Sequence, residues 1–174
     1  RVEELPYTTL AKLHPLNARD EGIPRFADAL KLAVWFDKIL ELDVKSEREE
    51  VLTQIVDELR RQGAVNNVVV QCRKTASAQF LRSLEPNIGI IVRLKSEADF
   101  AEALTVDPDG VEFERWYARA AVQRAHAAGV RTLFNISNSP VDTNFWKRVL
   151  AIGGIDMIMT DYADKACARM WGDS

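Results

Sequence analysis

Ile39-Leu40-Glu41-Leu42-Asp43-Val44-Lys45, running directly into Ser46-Glu47-Arg48-Glu49-Glu50, is the stretch from which the fold can be read. Leu40, Leu42 and Val44 alternate with Glu41, Asp43 and Lys45, the period of a β-strand with one apolar face. Ser46 is a good N-cap, and Glu47, Glu49 and Glu50 occupy a first turn, where the helix dipole favours acids. Val51, Ile55 and Leu59 follow at helical spacing and predict the buried stripe; Gly63 ends the helix. A strand has been followed at once by an amphipathic helix. Upstream, Phe26, Leu30 and Val34 predict another helix from Pro24. Before it, residues 1–23 read as an irregular N-terminal segment, with Pro6, Pro15 and the polar run Asn17–Gly22.

Downstream the unit repeats. Asn67–Cys72 is a short continuous apolar run, expected of a strand covered on both faces. A helix over Ala76–Leu84 carries Phe80 and Leu84. Ile88–Val92 is the next strand, and Ser96 caps a helix with Phe100 and Leu104. Gly110–Glu114 is a weak strand, and Trp116–Ala128 a helix stopped by Gly129. Val130–Ile136 is a strand, Asp142 caps a helix through Phe145, Val149 and Ile152, Met157–Asp161 is the last strand, and Asp164–Trp171 a closing helix. Strict alternation with short connections predicts an α/β fold with a parallel sheet. No Gly-rich phosphate loop follows any strand, which disfavours a dinucleotide-binding sheet. A (β/α)8 TIM-barrel-like fold suits the pattern, but such barrels take about 250 residues. The 174 residues therefore read as a single domain, 1–174, holding an incomplete barrel of five or six C-terminal βα units.

Composition bounds the function. There are 23 basic and 26 acidic residues, a net charge of −3, so no basic field exists to hold nucleic acid. No apolar run approaches the roughly 20 residues of a membrane span. Two cysteines, Cys72 and Cys167, match no zinc spacing and read as small buried hydrophobes. Two histidines, His14 and His126, leave little acid–base chemistry. His126 sits near a helix C-terminus, where the dipole favours a cation; His14 precedes Pro15 in a loop. Neither can be placed beside a nucleophile and a carboxylate.

In a parallel barrel, functional side chains gather at the carboxyl ends of the strands. Those ends carry Asp43 and Lys45, Gln71, Arg93, Glu112 and Glu114, Asn135, and Asp161. Asp43 and Lys45 share a strand face. A carboxylate and an ammonium converging at a barrel mouth suit a hard cation and a phosphate, or form an ordinary ion pair closing the strand. Asp161 reads equally as the cap of a turn, and Glu112 and Glu114 as solvated or paired acids.

These residues also carry a resemblance. Ile23-Pro24-Arg25-Phe26-Ala27-Asp28-Ala29-Leu30 followed by Ile39–Lys45 resembles the Ile-Pro-Thr-Leu-Glu-Glu-Ala-Leu segment and Glu-Ile-Lys strand of the glycerophosphodiester phosphodiesterases. Val68–Cys72 is similar to that family's strand ending Ser-Phe. Ala125-His126-Ala127-Ala128-Gly129-Val130, then Asn135, resembles its Ala-His-x-x-Gly segment before Trp-Thr-Val-Asn. Gly154–Tyr162 is close to its ending Gly-Val-Asp-Gly-Ile-Ile-Thr-Asp-Tyr-Pro, the most specific match. The four segments cover nearly the whole chain in order.

The resemblance implies a phosphoric diester hydrolase in lipid and glycerol metabolism. It would convert a small-molecule glycerophosphodiester and water to glycerol 3-phosphate and an alcohol, with a divalent metal, Mg or Ca. It implies Asp43 as a metal ligand and Lys45, Gln71 and Asn135 as phosphate- or substrate-binding residues. Asp43 replaces the usual Glu, Gln71-Cys72 replaces Ser-Phe, Thr132 the usual Trp and Ala163 the final Pro, which puts the family's aromatic glycerol-contacting wall in question. The family's opening succession of a His-Arg-Gly strand, a Glu-x-Asp strand and a His-Asp pair does not occur in these residues. Val2–Leu13 resembles what comes just after them. The expected chain is thus the C-terminal two-thirds of such an enzyme, inactive alone. By that count three strands are missing, and Gly110–Glu114 is expected not to be a barrel stave. The alternatives are a degenerate, non-catalytic barrel serving as a binding or assembly module, and a lyase using Lys45 as a Schiff-base amine. Either way, unpaired apolar edges would need cover from an N-terminal segment, a partner chain or a second copy.

Overall fold

The computed structural model describes residues 5–13, 22–113, 119–136, 151, 153–163 and 165. Six strands form one sheet: β1 (Leu40–Asp43), β2 (Val68–Cys72), β3 (Gly89–Leu94), β4 (Gly110–Phe113), β5 (Arg131–Asn135) and β6 (Met157–Met159). They lie in sequence order, and every neighbouring pair is parallel. Consecutive order matters physically. Right-handed crossovers that always step the same way put every helix on one face. A doubly wound sheet must instead reverse its order. The result is an incomplete TIM-barrel-like α/β fold, curled as a half-barrel. Gly110–Phe113 sits between β3 and β5, fully buried. It is a stave, contrary to the expectation from strand counting, and its weak pattern reflects a strand covered on both faces.

The helices are α1 (Tyr7–Leu10), α2 (Phe26–Trp35), α3 (Glu49–Arg61), α4 (Thr75–Leu84), α5 (Asp99–Leu104) and α6 (Arg119–Ala127). The core lies between them and the outer face of the sheet. Val68, Val70, Ile90, Val92, Leu94, Val111, Phe113 and Phe134 meet Leu52, Val56, Leu59, Ala78, Leu81, Phe100, Ala103 and Ala125 there. The stripe on α3 is Leu52, Val56 and Leu59; Val51 and Ile55 are only half-buried, one position away from the expected line. On α2, Leu30 is buried as expected but Val34 is 40% exposed.

Two expected caps are also corrected. Helix α3 begins at Glu49 with Arg48 at the cap, while Ser46 Oγ accepts a hydrogen bond from Arg48 N at 3.4 Å in a turn before it. Helix α5 begins at Asp99. The Asp99 carboxylate accepts the Lys95 and Ser96 N–H groups, both at 2.9 Å, so the acid and not Ser96 fixes this entry. The C-termini behave as read. Gly63 (φ +62°) and Gly129 (φ +74°) adopt the left-handed conformation that closes helices α3 and α6. Glu114, the helix from Asp142 to Ile152, the closing helix Asp164–Trp171, His14 and Cys167 lie outside the described residues as wholes or at their key positions.

Candidate functional site

The inner face of the sheet carries the alternate residues: Glu41 and Asp43 on β1, Gln71 on β2, Arg93 on β3, Glu112 on β4 and Asn135 on β5. All but Glu41, the second residue of β1, fall at or next to the carboxyl end of their strands. Asp43 pairs in register with Gln71, and Arg93 with Glu112. Strands are about 4.8 Å apart, so Gln71 and Glu112 stand two strands, about 10 Å, from each other at the backbone. Their side chains are nevertheless hydrogen-bonded, because a concave face tilts side chains toward one another.

Glu112 is the hub. It is 0% exposed, which removes the solvated reading and leaves the paired one. Gln71 Nε2 donates to it, Asn135 Nδ2 donates to its Oε1 at 2.9 Å, and Arg93 Nε lies 3.6 Å from the same oxygen. Gln71 Nε2 also donates to Glu41 Oε1 at 3.2 Å. With its amide nitrogen shared by two carboxylates, Gln71 turns Oε1 away, and that buried oxygen has no hydrogen-bond partner among the described residues. A buried carboxylate is tolerable only when compensated in this way. Burial raises the Glu41 carboxyl above the ordinary carboxylate range, and the negative charges of Glu112 and Asp43 raise it further.

That shift has a stability consequence. A carboxyl whose folded-state pKa is raised favours folding most below its unfolded value, and the benefit is lost as pH rises through the folded value. Glu41→Gln, which can still accept from Gln71, is therefore expected to gain stability relative to the parent between pH 4 and pH 7. Urea titrations at both pH values would read this; a difference that is flat with pH would contradict it.

Asp43 and Lys45 are joined in an ion pair at the rim. Their side chains are 36% and 64% exposed, and an Arg73 guanidinium nitrogen stands 3.8 Å from the other Asp43 oxygen. The sequence-predicted residues thus form two adjoining groups: Gln71 and Asn135 converge on Glu112, and Asp43 pairs with Lys45. Asp161, beyond β6, is exposed and contacts neither. Reasoning from sequence missed Glu41, although it shares the alternation of Asp43 and Lys45, and missed Arg73, which follows β2 with no pattern to mark it.

Glu41 and Asp43 have the oxygen chemistry of a hard-cation site, and the Glu41 carboxyl is raised first by burial and then by the charges of Glu112 and Asp43. Among the described residues, however, no group of three or more metal-ligating side chains is assembled.

His126 lies at the opposite rim. Its Nε2 is 2.9 Å from Asp156 Oδ2, which also accepts from Thr132 N at 2.7 Å and Thr132 Oγ1 at 3.0 Å. Burial alone would raise the Asp156 pKa, but these hydrogen bonds and the nearby imidazole outweigh it and hold it below the ordinary range. The pair ties α6 to the entrances of β5 and β6, a structural duty. Cys72 is buried, and burial pushes its thiol up to about 12, so it carries no thiolate chemistry near neutral pH.

No family model matches the sequence, and no curated protein matches it. Solved structures do. A phosphodiesterase of Oleispira antarctica in complex with the product sn-glycerol-3-phosphate superposes with a TM-score of 0.83 at 18% identity, over 97% of this chain and 72% of that one. A glycerophosphoryl diester phosphodiesterase of Parabacteroides distasonis gives 0.77 at 18%, over 98% and 65%. A glycerophosphodiester phosphodiesterase of Agrobacterium tumefaciens gives 0.65 at 15%, over 90% and 68%. The fold is that of the glycerophosphodiester phosphodiesterase barrels, and the chain spans between 65% and 72% of the length of these three. No described helix is long and apolar enough to cross a membrane.

Proposed function

We propose that this chain is the phosphate-binding portion of a phosphoric diester hydrolase of the glycerophosphodiester phosphodiesterase type. The observation that carries the reading is the Asp43–Lys45 pair at the carboxyl end of β1, on the rim where such barrels hold their chemistry. Lys45 is a point charge for a phosphoryl oxygen. Asp43, with Glu41 behind it, would hold a divalent cation, Mg or Ca, which when bound neutralises charge on the phosphodiester. Gln71 and Asn135, both hydrogen-bonded to Glu112, stiffen the floor on which the substrate rests, so that the rim groups keep their spacing without reorganisation. Proton transfer to the leaving alcohol needs an acid–base pair. The family's histidine motifs do not occur in these 174 residues, and His126 is committed to Asp156 at the other rim. Lys45 does not suit the lyase alternative, since a Schiff-base amine is activated by desolvation and this one is 64% exposed.

The purified chain, given glycerophosphocholine and Mg or Ca, is accordingly expected to release no glycerol 3-phosphate above the protein-free blank in an enzyme-coupled assay. Metal-dependent release would overturn that expectation. The non-catalytic module remains the second reading, supported by one observation. Leu32, Trp35, Phe36 and Ile39, exposed by 59%, 83%, 62% and 69%, form an apolar stretch leading into edge strand β1, which suits a covering segment, partner or second copy.

A further inference from the structure

We propose that the cleft between the β2–α4 and β3–α5 turns is a second anion site, taking a phosphate or carboxylate borne by the alcohol part of the substrate; this rests on the phosphodiesterase reading and names its substrate class. The cleft has a volume of about 350 Å³, enough for a group the size of a glycerol phosphate. Arg73, Lys74, Arg93 and Lys95 line it with Asp99 and Glu102; Lys74 pairs with Glu47, Arg93 lies 3.6 Å from Glu112 and Arg73 3.8 Å from Asp43, which leaves Lys95 as the cation of the lining that is not set against a described acid.

Both acids are already engaged. Asp99 accepts the Lys95 and Ser96 N–H groups at 2.9 Å, and Glu102 accepts from the Thr75 hydroxyl. Among the described residues no ion pair engages Lys95. The ten-residue α4 opens into the same space: Thr75 and Ala76 line it, no side chain caps the helix, and its first turn holds no acid. Its dipole adds to the cationic side chains, and the Glu102 carboxylate on the Thr75 hydroxyl already stands at this helix start. No aromatic residue lines the cleft, so it offers no cage for the quaternary ammonium of a choline. Arg73 lines the cleft and also stands 3.8 Å from Asp43. One bound molecule can thus place its diester at the rim and its second anion in the cleft.

Calorimetric titration of the full chain tests this, with circular dichroism confirming that each variant folds. Inorganic phosphate is expected to bind, about tenfold or more weakly to Lys95→Glu, as charge reversal within contact range predicts, and unchanged for Lys38→Glu, an equal charge change at an exposed site elsewhere. A glycerophosphodiester whose alcohol carries a phosphomonoester is expected to bind more tightly than glycerophosphocholine, and to lose that advantage in Lys95→Glu. If the two diesters bind equally while phosphate binding still depends on Lys95, the cleft holds free phosphate only and the substrate assignment falls. If Lys95→Glu and Lys38→Glu behave alike, the site itself falls. If phosphate depends on Lys95 but no diester responds to Lys45→Ala, the phosphodiesterase reading fails and the anion site stands alone.

Discussion

Glu112→Ala is expected to destabilise the chain by about 3–5 kcal/mol, the usual result of deleting one partner of a buried ionic network. For a chain of this size that corresponds to a fall in Tm of roughly 6–20 °C. The reason is not the loss of an attractive pair as such. Glu112 is fully buried, and Arg93, whose side chain is 17% exposed, would be left with a charge facing a cavity. Gln71 and Asn135 would lose their acceptor at the same time. Because the penalty comes from orphaned partners, Arg93→Ala in the Glu112→Ala background is expected to cost less than the two single changes summed. Thermal and urea unfolding of the four proteins reads the coupling. Strict additivity would mean that the two residues do not act as a unit.

Phe100→Ala is expected to cost a further class of energy, about 3–5 kcal/mol through cavity formation, and to reach function by a different path. Helix α5 has six residues, too few to persist on intrinsic propensity. It is held by Phe100, 2% exposed, and Ala103, 0% exposed, with the Arg124 guanidinium 4.9 Å from the Phe100 ring centre. Asp99 and Glu102, on the same helix, form one wall of the cationic cleft. Emptying the Phe100 site should therefore loosen that wall and weaken phosphate binding, although Phe100 does not line the cleft. A variant that unfolds at the parent temperature with unchanged phosphate affinity would show that α5 is held by something else.

Much of this fold is legible in the residues themselves. Alternation at Leu40–Val44 and continuous apolar runs at Val68–Cys72 and Ile88–Val92 reported strands because neighbours on one or both faces demand those patterns. The glycines at 63 and 129 reported helix ends because few other residues adopt a positive φ cheaply. What local pattern could not supply was competition between neighbours. Ser46 lost its capping role to a turn, and Asp99 took over from Ser96, since several polar side chains stood within reach of each helix start. On α3 the expected Leu59 is buried, but Leu52 and Val56 replace Val51 and Ile55, because sheet packing, not periodicity, selects which of two adjacent apolar rows faces inward.

The site follows the same division. Asp43 and Lys45 are readable as one face of a strand. The burial of Glu112 is not, because it depends on side chains from β2, β3 and β5 that are 19 or more positions away and meet only when the sheet curls. His126 shows the converse. Its family-like segment draws attention to chemistry, but its partner Asp156 is at the entrance of β6, thirty residues on, and the pair serves the fold.

The most direct measurement is a nuclear magnetic resonance titration of the labelled chain with glycerophosphocholine in the presence of Mg. Saturable shifts of the Asp43, Val44 and Lys45 amides are expected, lost or weakened at least several-fold in Lys45→Ala, a change at an exposed side chain that should leave unfolding within about 0.5 kcal/mol of the parent. Shifts confined to other regions, or an affinity indifferent to Lys45, would contradict the assignment of the β1 tip as the phosphate-binding mouth.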